Sequence, residues 1–366
     1  MKKLSILFIL VALLSLFMIR CLSPHYPNQE LDSTLAVSIM DIDNSISYGD
    51  IPRRASSFGM YSAIDDNNLY LLVRPSYAMS MFNESNKNWE HISYAPIGGR
   101  YCDYVLYFGG ENDNLFIVMD DYSSNSSYIL SFDISKKEWS RNNCYHTEAS
   151  GAVMFDSTIY LTMDNQEYFA YHPLDKSIER KADIIAYYEA RPYDQGDGYM
   201  CVSKNLNMIF AFYGKSAVQY SIDNDSWESI PSIPEQLLFN RYASCCLCNG
   251  TNIYIFQNYE NLSYIFSYDI TAKVWSDIYE NNSANTKIWQ YPYLFYNSNK
   301  LYCIHGQDYT EYNDIIICDL NNGSYEIKKN PFYSYYHEKY SHLQGVYHLM
   351  YKDIIMAVGG TKSYHY

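Results

Sequence analysis

The 366-residue sequence predicts an all-β chain assembled from repeated small antiparallel sheets, and two interleaved patterns carry that expectation. The first is a bulky hydrophobic residue, a polar residue, and a Trp six positions after the polar one. It occurs as Phe82-Asn83 to Trp89, Phe132-Asp133 to Trp139, Tyr220-Ser221 to Trp227 and Tyr268-Asp269 to Trp275. Three degenerate copies keep the interval without the Trp: Met40-Asp41 to Ser47, Tyr171-His172 to Ile178 and Cys318-Asp319 to Tyr325. The second pattern is a short apolar run, present seven times, with an aromatic at Tyr70, Phe116, Tyr160, Phe210, Tyr254 and Tyr302 and Ile355 in the last copy. Successive runs lie 44 to 53 residues apart. A fixed period of this size marks solenoids, propellers and arrays.

Each element of the period follows from local chemistry. The apolar runs are too short for helices and read as strands. Turn-forming pairs such as Asp66-Asn67, Asn112-Asp113 and Asn249-Gly250 precede them and favour a tight connection out of the strand before. The six-residue interval reads as a hairpin in which the polar residue bonds the local backbone and the next strand carries the large ring. Each period is then a four-stranded antiparallel sheet. Alone, such a sheet would leave both apolar faces in water at about 25 cal/mol per Å². Packing the sheets radially, as blades of a β-propeller, buries both faces and leaves only short edges.

Six blades are expected at 53–95, 96–141, 142–182, 183–231, 232–279 and 280–330. Leu35 to Ile42 and Ser45 to Ile51 look like the last two strands of a blade, and Val346 to Tyr351 with Lys352 to Gly360 like the early strands of one. Joined, they make a seventh blade shared by the N- and C-termini. A six-bladed ring with a loose end is the alternative.

Ahead of the repeats, Lys2-Lys3 followed by the uncharged stretch Leu4 to Ile19 reads as a secretory signal over residues 1–23, with an uncleaved membrane anchor as the alternative. Cys21 lacks the small-residue context of a lipoprotein signal. Residues 24–33, with Pro24 and Pro27, form a spacer, and 34–366 the propeller. The expected location is extracellular or an endomembrane lumen. Seven Asn-x-Ser/Thr sequons, at Asn83, Asn125, Asn224, Asn249, Asn261, Asn281 and Asn322, are candidate glycosylation sites.

Composition narrows the function classes. A formal charge of -15 argues against nucleic acid or an acidic membrane surface as partner. The 42 tyrosines suit blade interfaces, where the ring fills the gap between sheets and the hydroxyl reaches a polar edge. Beyond Cys21 the chain has Cys102, Cys144, Cys201, Cys245, Cys246, Cys248, Cys303 and Cys318, from which one or two disulfides and several buried thiols are expected. Cys245-Cys246-x-Cys248 has no Cys-x-x-Cys counterpart, so no zinc site is assigned. His337, Glu338, His342 and His348 lack metalloprotease spacing, and no metal or catalytic residue is assigned.

These residues resemble kelch repeats, in which an aromatic run ending in Gly-Gly precedes a Tyr-Asp pair and a Trp six residues on. The doublet is intact at Gly359-Gly360, with single remnants at Gly214 and Gly306, while Gly109-Gly110 lies ahead of its run. The resemblance implies a kelch-like β-propeller acting as a monomeric, non-catalytic protein- or ligand-binding module with no cofactor. It also implies that partners use the face carrying the loops into the first strands. Arg54, Arg100, Arg191 and Arg241 precede Tyr70, Phe116, Phe210 and Tyr254 by 16, 16, 19 and 13 residues, so they enter first strands on that face. They form a candidate anion-preferring site, the alternative being local carbonyl capping or pairing with a neighbouring carboxylate. Two other functions stay open: a copper-dependent galactose-oxidase-like enzyme, whose ligand motifs are not found here, and a carbohydrate-binding propeller.

Overall fold

A computed structural model describes residues 60–359, with breaks at 66–67, 74–76, 84, 86–87, 98–102, 122–125, 146–148, 164–166, 185–198, 214–215, 232–233, 235–243, 260–261, 282–291, 305–313, 330–345 and 352–353. The expected signal, the spacer and the strands foreseen at 35–42 and 45–51 lie outside the described residues.

The described chain is all β, with a single turn of 3-10 helix at Lys204–Leu206. Sheet 1 holds β1 (Met60–Asp65), β2 (Asn68–Val73), β3 (Ala78–Asn83) and β4 (Asn88–Tyr94). Sheet 2 holds β5 (Asp103–Glu111), β6 (Asn114–Asp121), β7 (Ser126–Asp133) and β8 (Glu138–Tyr145). Sheet 3 holds β9 (Ala149–Phe155), β10 (Thr158–Met163), β11 (Tyr168–His172) and β12 (Ser177–Lys181). Sheet 4 holds β13 (Tyr199–Ser203), β14 (Met208–Tyr213), β15 (Ser216–Ser221) and β16 (Ser226–Ser229). Sheet 5 holds β17 (Ser244–Cys248), β18 (Asn252–Tyr259), β19 (Leu262–Asp269) and β20 (Val274–Asn281). Sheet 6 holds β21 (Tyr293–Asn297), β22 (Lys300–Ile304), β23 (Asp314–Asp319) and β24 (Ser324–Lys329). A two-stranded hairpin follows, β25 (Val346–Tyr351) with β26 (Ile354–Gly359). All pairings are antiparallel between consecutive strands. Only β8 and β20, reaching Tyr145 and Asn281, overrun the boundaries expected from the sequence.

The first strands stand side by side: β1 next to β5, then β9, β13, β17 and β21 in turn, while β25 touches both β21 and β1. Five apolar cores fill the spaces between successive sheets. Alternation within the second strands divides them between two cores. In β6, Leu115, Ile117 and Met119 face sheet 1, and Phe116 and Val118 face sheet 3. In β18, Ile253 and Ile255 face sheet 4, and Tyr254 and Phe256 face sheet 6. Burial on both faces explains why these strands read as unbroken apolar runs. The recurring aromatics Tyr70, Phe116, Tyr160, Phe210 and Tyr254 all point to the sheet that follows.

The Trp motif marks the opposite face. Its hairpin leaves the aromatic and the Trp directly paired across two strands, as Phe132 with Trp139, Tyr220 with Trp227 and Tyr268 with Trp275. Ring centroids lie 4.8, 5.1 and 4.9 Å apart in these pairs. Each pair joins the core shared with the preceding sheet. The indole N–H then reaches back one period: Trp139 donates to Ser93 Oγ at 2.9 Å, Trp227 to the Ala182 carbonyl at 2.9 Å, and Trp275 to the Pro231 carbonyl at 3.1 Å.

The interval of six has a backbone cause. Asp269 Oδ1 accepts the N–H groups of Thr271 and Ala272 at 2.9 and 2.8 Å, and the Asp269 carbonyl accepts Lys273 N–H at 2.9 Å. Asp133 does the same for Lys136 and Lys137. The last turn residue is left-handed, with φ of 58° at Lys137, 57° at Lys273 and 70° at Gly323. Four turn residues between the paired positions leave the aromatic facing the Trp.

Candidate functional site

The two ends of the sheets differ. At one end lie the turns between first and second strands and between third and fourth strands, all of two to four residues. At the other lie the connections between second and third strands and those leading into the next sheet. Every connection longer than four residues is at this second end: 95–102, 182–198, 230–243, 282–292, 305–313 and 330–345.

At the short-turn end, polar side chains bind neighbouring sheets to one another. Glu111 accepts the Ser157 amide at 2.9 Å and the Ser157 hydroxyl at 2.6 Å. The Ser203 hydroxyl donates to the Gly250 carbonyl at 2.6 Å, again joining equivalent turns of adjacent sheets. Along the outer strands, Asp225 Oδ1 of the β15–β16 turn accepts the amide of Ala182, the residue that follows β12, at 3.0 Å and the Tyr220 hydroxyl at 2.6 Å. Burial works to raise the Asp225 carboxyl, but these two donors and the Lys181 charge outweigh it and hold the group below the usual range. Lys273 pairs with Glu228 at 3.1 Å across sheets 4 and 5.

The Tyr160 and Tyr220 phenols are held against ionisation. Burial, with the nearby carboxylates Glu179, Asp156 and Asp225, pushes Tyr160 up to about 12. Burial and then the bond to Asp225 raise Tyr220. Tyr168 packs between them, its ring edge-on to Tyr220 at 4.8 Å and to Trp227 at 4.8 Å. This stack belongs to the core between sheets 3 and 4.

Arg54, Arg100, Arg191 and Arg241 all lie outside the described residues, on the segments that lead into β1, β5, β13 and β17. Of the sequons, Asn224 and Asn322 stand exposed on turns between third and fourth strands. Asn83 and Asn249 are half-buried and engaged: Asn83 Nδ2 donates to Glu90 at 2.5 Å, and Asn249 Oδ1 accepts the amides of Thr251 and Asn252 at 3.1 and 2.8 Å. Asn125 and Asn261 fall outside the described residues, as does the side chain of Asn281.

Cys201, Cys245, Cys246, Cys248, Cys303 and Cys318 are buried free thiols, so the expected bridges are not formed among these six. Cys102 and the side chain of Cys144 lie outside the description, as do His337, Glu338, His342 and the side chain of His348. Among the described residues no group of His, Cys, Asp and Glu is arranged to hold a metal ion. Sequence reading missed the meeting of Cys201 with Cys246 and Cys248; a separation near one repeat period is the signal that finds it. The indole bonds to Ala182 and Pro231 had no such signal, because a backbone carbonyl leaves no residue signature.

In comparisons with known proteins, the chain matches no protein-family model and no curated sequence.

Proposed function

We propose that the chain is a secreted or membrane-tethered, kelch-like propeller of seven blades that binds a protein or small ligand without catalysis, through the end that carries its long connections. The observation that carries the reading is that all the long connections share one end while the other is closed by tight, mutually bonded turns. Long connections held by a rigid frame are where binding residues concentrate. The position of β25 between β21 and β1 supports a ring, with β25 and β26 as half of a blade completed by residues ahead of β1.

The sequence of the long connections suits recognition. They bring in Arg100, Arg191 and Arg241 with Tyr187, Tyr188 and Tyr193 on one segment and Tyr333, Tyr335 and Tyr336 on another. Arg54 enters the same end ahead of β1. Guanidinium and phenol groups carried by the same connections suit carboxylate, sulfate or phosphate groups on a larger ligand, since Arg pairs such groups bidentately and Tyr supplies stiff contact area. Asn224 and Asn322, on the opposite end, are the sequons proposed to carry glycans clear of this surface.

The test is an array of neutral, sialylated and sulfated glycans together with acidic peptides, read with the wild-type chain and with a folded Arg100→Ala/Arg241→Ala variant. Binding of acidic members that drops about tenfold or more in the variant supports the reading, that being the cost of one lost charge-assisted pair. Unchanged binding by the variant removes the arginines from the site. Stoichiometric copper in protein from a copper-supplied secretory host, with a tyrosyl-radical absorption, would replace the binding module by the oxidase alternative.

A further inference from the structure

Three buried thiols meet where sheet 4 packs on sheet 5. Strand alternation turns Cys201 of β13 toward sheet 5, and Cys246 and Cys248 of β17 toward sheet 4, in one core; Met200, Cys245 and Leu247 face the cores on the far sides. The bond from the Ser203 hydroxyl to the Gly250 carbonyl fixes the two first strands at an offset of 47 residues. The same offset sets Cys201 opposite Cys248. In that core the Cys201 thiol lies beside Cys246 and Cys248. The Cys248 sulfur accepts the Gly250 N–H at 3.3 Å.

The environments of the two opposed sulfurs differ. Burial raises the Cys201 thiol well above its ordinary range, and its thiol neighbours add to the effect. The neighbouring Cys201 thiol, followed by the Gly250 amide, holds Cys248 below its ordinary range against its burial. Lone buried cysteines act as small hydrophobes. A cluster of three, one of them accepting a backbone N–H that stabilises a thiolate, is a different arrangement.

We infer that Cys201 and Cys248 are the site of a disulfide that joins sheet 4 to sheet 5 when the chain meets an oxidant, with Cys246 as the third thiol able to exchange into the bond. The reactant is a disulfide, either glutathione disulfide or an oxidoreductase's. The Cys248 thiolate attacks one glutathione sulfur, and the electron pair of the broken S–S bond leaves on the other glutathione, which takes up a proton. Cys201 then loses its proton and attacks the Cys248 sulfur, expelling the second glutathione as thiolate. Two protein thiols are oxidised and one glutathione disulfide is reduced to two thiols. The sulfurs, packed in one core, close to about 2.0 Å as the bond forms. Burial directs the reaction to the time when sheets 4 and 5 dock, before the core excludes the oxidant.

Whether the bond forms in a cell rests on the secreted reading; whether the thiols can form it does not, and two samples separate the questions. The full chain is recovered from a secretory host, and separately from a reducing cytosol, then unfolded, refolded and equilibrated with glutathione disulfide and a disulfide isomerase. Both are acid-quenched, unfolded with chelator, alkylated with a maleimide and mapped by peptide mass. The expected result is a Cys201–Cys248 linked peptide with Cys303 and Cys318 still alkylated. The bridged form should unfold a few degrees above the reduced form, a difference lost in Cys201→Ala and kept in Cys246→Ala. A bridge only in the equilibrated sample keeps the inference and removes the secreted setting. All six thiols alkylated in both samples overturns it, and so does a bridge that pairs Cys248 with anything but Cys201.

Discussion

Trp227 makes two separable contributions, one from its ring and one from its N–H. The ring lies 5.1 Å from Tyr220 and 4.8 Å from Tyr168, while the N–H satisfies the Ala182 carbonyl at 2.9 Å. Trp227→Phe keeps most of the ring contact and should lose about 1 kcal/mol, the net worth of one hydrogen bond. Trp227→Ala also empties the half-buried pocket and should lose about 3 kcal/mol by urea unfolding. Equal losses would mean that the ring contributes nothing beyond its N–H. The tyrosines around it make a prediction in pH. Their folded values are raised, Tyr160 from 10.0 to about 12. A raised value means stability that is fully present below the unfolded value and lost as pH climbs through the folded one. Alkaline absorbance titration should therefore show exposed tyrosines ionising first and the buried set appearing together with unfolding. A smooth single titration without loss of circular dichroism would contradict this.

Among the elements, the hairpin between third and fourth strands is the one whose sequence and geometry agree most closely. The polar residue, the interval and the Trp were all legible because the turn's hydrogen bonds are local: Asp133 and Asp269 each bond the backbone within three residues. Its left-handed end gives a test. Lys137 sits at φ 58°, a conformation that a non-glycine residue adopts at a cost of about 1 kcal/mol. Lys137→Gly should raise stability by roughly 0.5 kcal/mol once the added chain entropy is offset. The same change at Lys136, which has no positive φ and pairs with Asp133, should lower it. Reversal of that order would show that the turn is not held as described. The second strands were legible for an equally local reason, their double-sided burial. What the sequence concealed is the polar contacts that cross from one sheet to the next, such as Glu111 with Ser157 or the Trp227 indole with the Ala182 carbonyl. Such contacts depend on how far one sheet is rotated past another, which no single period encodes. The arginines stayed a sequence inference, since their segments lie outside the described strands.

For the whole molecule, the hairpin of β25 and β26 is the piece on which the proposed ring depends, because β25 is beside both β21 and β1. Ending the chain at residue 330 should uncover apolar edges on sheets 1 and 6, lower the thermal midpoint by several degrees and promote association, as seen by light scattering. A truncated chain that stays monomeric with an unchanged midpoint would place the closing contact elsewhere. The spacing of the cross-sheet bonds has a further consequence in time. Trp227 to Ala182 and Trp275 to Pro231 each span only 45 and 44 residues. As the ribosome adds one repeat, that repeat already has everything it needs to dock on the one before. Assembly can then proceed from the N-terminus by short steps of low contact order. Among the described neighbours, β1 meets β25 only after every sheet between them has been made. Until then β1 keeps an open flank, and the growing chain needs protection there in proportion to how slowly it is translated.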